Sequence, residues 1–165
     1  MTDSVRVAIT TPLHPDLRPL ITDVDPRIEL LADDNLLPPQ RYPGDHDGDP
    51  SFHRTDQQQA AFDALLARAE VFYGIPDTRP AALAPAVRAN PNLRWVQTMA
   101  AGGGAQVKAA GLTEDELARV VFTTSAGVHG GTLAEFARFG VLAGAKDLPG
   151  CNPCNGPGSG RSAGR

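Results

Sequence analysis

The sequence predicts an α/β fold built on a mainly parallel sheet. Short β-branched apolar runs recur along the chain, helical patterns lie between them, and polar or glycine-rich turns follow three of the runs. Right-handed crossovers join strands in that order, and such sheets hold ligands beyond the carboxyl ends of their strands.

Val5–Thr10, "VRVAIT", reads as a buried first strand. In "HPDLRPLI", Pro15 suits the first turn of a helix and Pro19 keeps that helix short. Arg27–Ala32 is the second strand. The stretch from Asp33 to Asp56 is rich in proline and aspartate, and its length marks it as a surface strap or insert. An amphipathic helix follows, capped at Thr55 or Asp56, with Ala61, Phe62, Leu65, Leu66 and Ala69 on one face. Glu70–Gly74 is the third strand. The next helix begins near Pro80 and stops at Asn90 and Pro91. Leu93–Thr98 is the fourth strand. Thr113 caps a short helix with Glu116 at the capping-box position, and Val120–Thr124 is the fifth strand. A last helix, from about Thr132 to Lys146, is apolar nearly all round and requires burial on every side.

The totals exclude several classes. With 41% hydrophobic residues over 165 positions the chain can bury a core. A net charge of -4 argues against nucleic acid or an anionic membrane as partner. No apolar stretch is long enough to span a bilayer, and "MTDSVRVAIT" has no signal-peptide pattern. Cysteine occurs only at Cys151 and Cys154, so a cytoplasmic setting is expected. Those two stand alone in a Gly/Pro tail and do not make a zinc site. Asp45, Asp47, Asp49 and Asp56 fall at calcium-loop positions, but Pro50 stands where that loop needs glycine, and a solvated insert is the better reading. His14 lies on the carboxyl side of the first strand, facing the ligand edge. His129 reads as a helix-entry residue, and His46 and His53 suggest nothing.

Three consecutive glycines, Gly102 to Gly104, follow the fourth strand. They match the dinucleotide fingerprint G-x-G-x-x-G poorly: Val107 holds the third glycine's place and no acid follows at the ribose distance. Two readings remain. One is a turn that needs glycine's freedom. The other is a concavity of backbone N–H groups around a small anion such as a carboxylate, which the place at a strand's carboxyl end favours.

Leu93–Val107, "LRWVQTMAAGGGAQV", with Val120–Pro149, "VVFTTSAGVHGGTLAEFARFGVLAGAKDLP", resembles the D-isomer-specific 2-hydroxyacid dehydrogenases. Their substrate domain carries a strand of the type L-[KR]-W-[IV]-Q and a small-residue loop with an Ala-Gly pair. A further strand, a Gly and an Ala-Glu pair opening a long helix come later. Here these are Leu93–Gln97, Ala101-Gly102, Gly127 and Ala134-Glu135, and the likeness spans roughly Val5 to Pro149. The resemblance implies a flavodoxin-like parallel sheet with helices on both faces, closing with a Rossmann domain over a cleft. It implies that Ala101, Gly102 and Gly103 offer amides to a substrate carboxylate, and that Tyr73, Gly74 and Ile75 line the same cleft. Relatives often have Val and Asp where this chain has Gly103 and Gly104, which leaves the loop looser and the substrate unassigned.

Family chemistry uses an arginine on the carboxylate, a histidine with a glutamate for the proton, and NAD or NADP on a G-x-G-x-x-G turn, all after the long helix. This chain carries no such turn. The expectation is a truncated oxidoreductase fragment: substrate-binding domain 1–131, connecting helix 132–149, and disordered tail 150–165. A one-base frame shift near Gly150 restores a family-like Arg-Leu pair under one choice of codons, so a frameshifted tail is expected too. No catalytic residue, cofactor-binding residue or metal ligand is assigned here, and NAD or NADP is not expected to bind this chain alone. The expected partner is a small 2-oxo or 2-hydroxy acid. The family forms homodimers, and self-association through the last helix is expected. A stand-alone flavodoxin-like module that binds a small carboxylate without catalysis is the alternative.

Overall fold

A computed structural model describes residues 4–147. The chain divides into two compact units, one running to Ala126 and one from Gly127. The expectations for the tail, the Cys151–Cys154 pair and the frame shift lie outside the described residues.

In the first unit, β1 (Val5–Ile9), β2 (Ile28–Leu31), β3 (Val71–Tyr73), β4 (Trp95–Gln97) and β5 (Val121–Thr123) form one all-parallel sheet. The strand order is β2-β1-β3-β4-β5, the flavodoxin-like order. Each strand stands where its β-branched run predicts it, shortened at its ends. The register runs straight across the sheet. Ala8, Phe72, Val96 and Phe122 share one row; Val7, Val71, Trp95 and Val121 share the next.

Six α-helices connect or follow the strands: α1 (Pro19–Thr22), α2 (Asp56–Arg68), α3 (Pro80–Ala89), α4 (Gly103–Ala109), α5 (Glu114–Arg119) and α6 (Gly130–Ala145). The chain steps one way from β1 to β2 and the other way from β2 to β5. Right-handed crossovers therefore put α1 on one face of the sheet and α2, α3 and α4 on the other. Phe62 and Leu66 of α2, Leu83 and Val87 of α3 and Val107 of α4 join Ala8, Phe72 and Val96 in the core. Each large side chain buried there contributes about 1.5–3 kcal/mol. The opposite face is open over β4 and β5, where Trp95 is 42% and Val121 is 61% exposed.

Local chemistry explains the helix ends. Thr55 caps α2 in a capping box with Gln58, and Thr113 caps α5 in one with Glu116. Pro19 does not limit a helix begun at Pro15. It opens α1, because its fixed φ and missing N–H suit a first turn, and Pro15–Leu17 is a separate 3-10 turn. The glycines after β4 wind directly into α4, a two-turn helix. In the second unit α6 starts at Gly130, two residues ahead of expectation, and Leu133, Phe136, Phe139, Val141 and Leu142 are all exposed. Among the described residues no helix is long and apolar enough to cross a membrane.

Asn90 ties the two main helices together. Fully buried after α3, it donates from Nδ2 to the carbonyls of Leu66 (2.8 Å) and Ala69 (2.7 Å) at the end of α2. Its Oδ1 accepts from the Asn92 amide. Asn90→Leu removes both bonds, leaving Leu66 O only the Ala69 amide and taking from buried Ala69 O its side-chain donor. It is expected to cost about 2–4 kcal/mol, read as a fall in the urea midpoint at unchanged slope.

Candidate functional site

A cavity of about 250 Å³ lies beyond the carboxyl ends of β1, β3 and β4, where the strand order reverses. Three strand turns wall it: Thr11 after β1, Ile75 and Thr78 after β3, and Met99 and Ala100 after β4. Gln106 of α4 adds a polar group. The remaining wall is the insert, through Tyr42 and Gly44–Asp47. The proline- and aspartate-rich segment is thus a strap over the ligand edge of the sheet, as its length suggests.

Ion pairs and hydrogen bonds hold the strap. The Asp45 side chain is 1% exposed and receives Arg41 Nε at 2.7 Å and Nη2 at 3.0 Å. The amides of Arg41 and Gly48 also donate to it. Chiefly the Arg41 guanidinium bonds, against an opposing effect of burial, keep the Asp45 carboxyl well below the usual carboxylate range. Asp47 accepts from Thr78 Oγ1 at 2.7 Å. At the strap's exit, Arg54 lies 3.8 Å from the Phe62 ring centroid, donates to Leu36 O at 2.6 Å and pairs with Asp77 at 2.8 Å. Asp49 is taken up by Ser51. Among the described residues no cluster of three or more His, Cys, Asp or Glu side chains is placed to hold a metal ion.

The turn after β3 is strained. Asp77 and Thr78 both adopt positive φ, 56° and 53°, which is unusual above all for β-branched threonine. The surroundings enforce it: Arg54 grips Asp77, Asp47 accepts from Thr78 Oγ1, and Gln106 Nε2 donates to Thr78 O at 3.3 Å. Strain of this kind collects at ligand edges.

Of the residues expected to hold substrate, Ile75, buried, lines the cavity directly. Tyr73 is half-buried in β3, and its carbonyl accepts from Thr10 Oγ1. Gly74, at φ +105°, lies against Thr11: a Cβ there would stand 2.3 Å from Thr11 Cγ2. It shapes the wall by letting Thr11 close in. After β4 the cavity is lined by Met99 and Ala100, one residue ahead of the expected Ala101, Gly102 and Gly103. Ala101 and Gly102 are exposed beside it. Gly103 is buried, its amide spent on Ala100 O at 3.1 Å, and a Cβ there would stand 1.8 Å from Thr98 Oγ1. Glycine is needed at Gly103 for packing. A seven-residue helix behind a glycine packed in this way does not fit a dinucleotide pyrophosphate.

The histidines are sorted differently from the sequence reading. His14 is turned out to solvent, and its Nδ1 accepts from the Asp16 amide at the start of the 3-10 turn, outside the cavity lining. His129 caps α6 without a side-chain hydrogen bond. His46 lines the cavity. Periodicity carries no signal for it, because the strap has no regular structure. Comparison with protein-family models, curated proteins and solved structures yields no match.

Gly103→Ala is expected to lower stability by about 1–3 kcal/mol, because buried Thr98 cannot yield. Gly102→Ala, with open space around its Cβ, is expected to stay within about 0.5 kcal/mol, and thermal melts of both variants test the contrast. For Asp45 the folded carboxyl lies below its unfolded value, so its contribution is full above about pH 4 and is lost as pH falls towards the folded value. The stability gap between the native chain and Asp45→Asn, measured by denaturant titration, is expected to be level from pH 5 to 8 on that principle, and to close below about pH 4.

Proposed function

We propose that this chain is the substrate-holding lobe of an NAD(P)-dependent 2-hydroxyacid dehydrogenase, binding a small 2-oxo or 2-hydroxy acid at the carboxyl edge of its sheet. One observation carries the reading: the cavity sits where the strand order reverses, and the turn after β4 forms part of its wall. Parallel α/β sheets bind at that point because the flanking turns diverge there and leave a crevice. No charged side chain stands between Met99 and Ala105, so a carboxylate at the β4 turn meets no like charge.

The lobe is assigned binding rather than chemistry. Among the described residues no arginine lines the cavity, so the bidentate grip that polarises a 2-oxo acid is not supplied by its walls. A nicotinamide cofactor would supply the hydride in such an enzyme. The exposed apolar side chains of α6 support self-association of the chain.

A second reading is a stand-alone module that binds a small carboxylate without turnover. It is favoured by the strap, which completes the cavity wall from this chain's own residues. Calorimetric titration of the full chain tests the carboxylate binding that both readings share. Pyruvate is expected to bind in the range of about 0.1–10 mM, in keeping with so few atoms. Saturable NADH binding would show a cofactor lobe in this chain and sink the binding-only assignment. Absence of pyruvate binding up to about 50 mM, well above that range, would sink both readings.

A further inference from the structure

The strap holds its backbone with two carboxylates and leaves the residue between them without a structural task. Asp45 is occupied by Arg41 and the Gly48 amide, and Asp47 accepts from Thr78. His46 sits between them on the cavity wall, half-buried, and its Nδ1 is buried with no hydrogen-bond partner among the described residues. A buried N–H without an acceptor costs more than a buried lone pair without a donor. In the neutral ring a proton on Nε2 rather than on Nδ1 leaves no buried donor without an acceptor, and Nε2 is then the ring's donor for a ligand.

The charges around His46 decide which end of a ligand it meets. Arg41 offsets the charge of Asp45, so the charge left on this wall is that of Asp47, which disfavours a carboxylate there. The turn after β4 carries no charged side chain. An acid in the cavity thus turns its carboxylate to the β4 turn and its tail to the strap. An alkyl tail would leave the strap's polar groups unpaired, whereas a hydroxyl accepts from His46 Nε2–H and donates to a carboxylate oxygen of Asp47.

Resting on the carboxylate reading above, we propose that His46 is a specificity-determining residue: carried to the cavity wall by the strap, it selects 2-oxo or 2-hydroxy acids with a hydroxyl-bearing tail over alkyl acids of equal size. The test compares two ligands that differ by OH against CH3, 2-oxo-4-hydroxybutanoate and 2-oxopentanoate, by calorimetry on the full chain. Alongside, long-range 1H–15N spectra of the histidine rings are recorded on the unaltered chain. The hydroxylated acid is expected to bind about fivefold or more tightly, as one neutral hydrogen bond implies. His46→Ala is expected to lower the preference at least about twofold, leaving the hydroxyl only its bond to Asp47, and an unchanged preference would overturn the proposal. The His46 ring is expected to be in the Nε2–H form and to shift only with the hydroxylated acid. Equal affinities with an unmoved His46 signal would overturn the role of His46 and leave the carboxylate reading standing. An Nδ1–H tautomer in the free chain would also overturn it, and binding of neither acid would remove both readings. The ring spectra decide even if the alanine variant fails to fold.

Discussion

The handedness of the β-α-β crossover is the constraint on which the rest of this molecule depends. Because each crossover turns to the right, a chain that steps first to β2 and then back past β1 to β3 must place its helices on opposite faces. The turns leaving β1 and β3 then diverge, and a hollow opens between them. Nothing in that step requires a particular side chain. It follows from backbone chirality and strand order, and it fixes where a ligand can sit before any residue there is chosen.

The residues then refine a site the topology supplies. Glycine at Gly74 and Gly103 lets neighbouring threonines come closer than any side chain would allow. The strap adds polarity that the sheet edge lacks, and its anchors differ in kind. Asp45 with Arg41 sets the local turn, whereas Arg54 on Phe62 fastens the strap's exit to the hydrophobic core. Asp77 and Thr78 accept an uncommon backbone conformation because contacts from the strap and from α4 hold them in it. Cavity wall and strap are therefore coupled: loosening Arg54 frees the turn that carries Thr78.

How far this was legible in the sequence varies with the kind of signal. The five strands and the capped helices α2 and α5 follow from side-chain patterning and local hydrogen bonding, both written in short windows. The first helix is not fixed by sequence alone, because proline reads equally as a stop and as a start, and only the surrounding chain decides. The site was half legible. Position along the strands pointed to the turns after β3 and β4, and Ile75 lies on the cavity wall. Gly74 and Gly103 also serve close packing, Gly74 on Thr11 of a distant segment and Gly103 on Thr98 just before it, and neither contact shows in residue periodicity. His46 carries no sequence signal for a related reason: an irregular segment has no period, so the direction of its side chains is set by tertiary anchors alone.

The open half of the second sheet face has a practical consequence. Trp95 is the chain's single tryptophan, and it stands there with its indole N–H donated to Thr123 at 2.7 Å. Intrinsic fluorescence will therefore report on the polarity of that face more than on the core. Any surface laid over β4 and β5 will cover the exposed part of the indole and draw its emission to the blue.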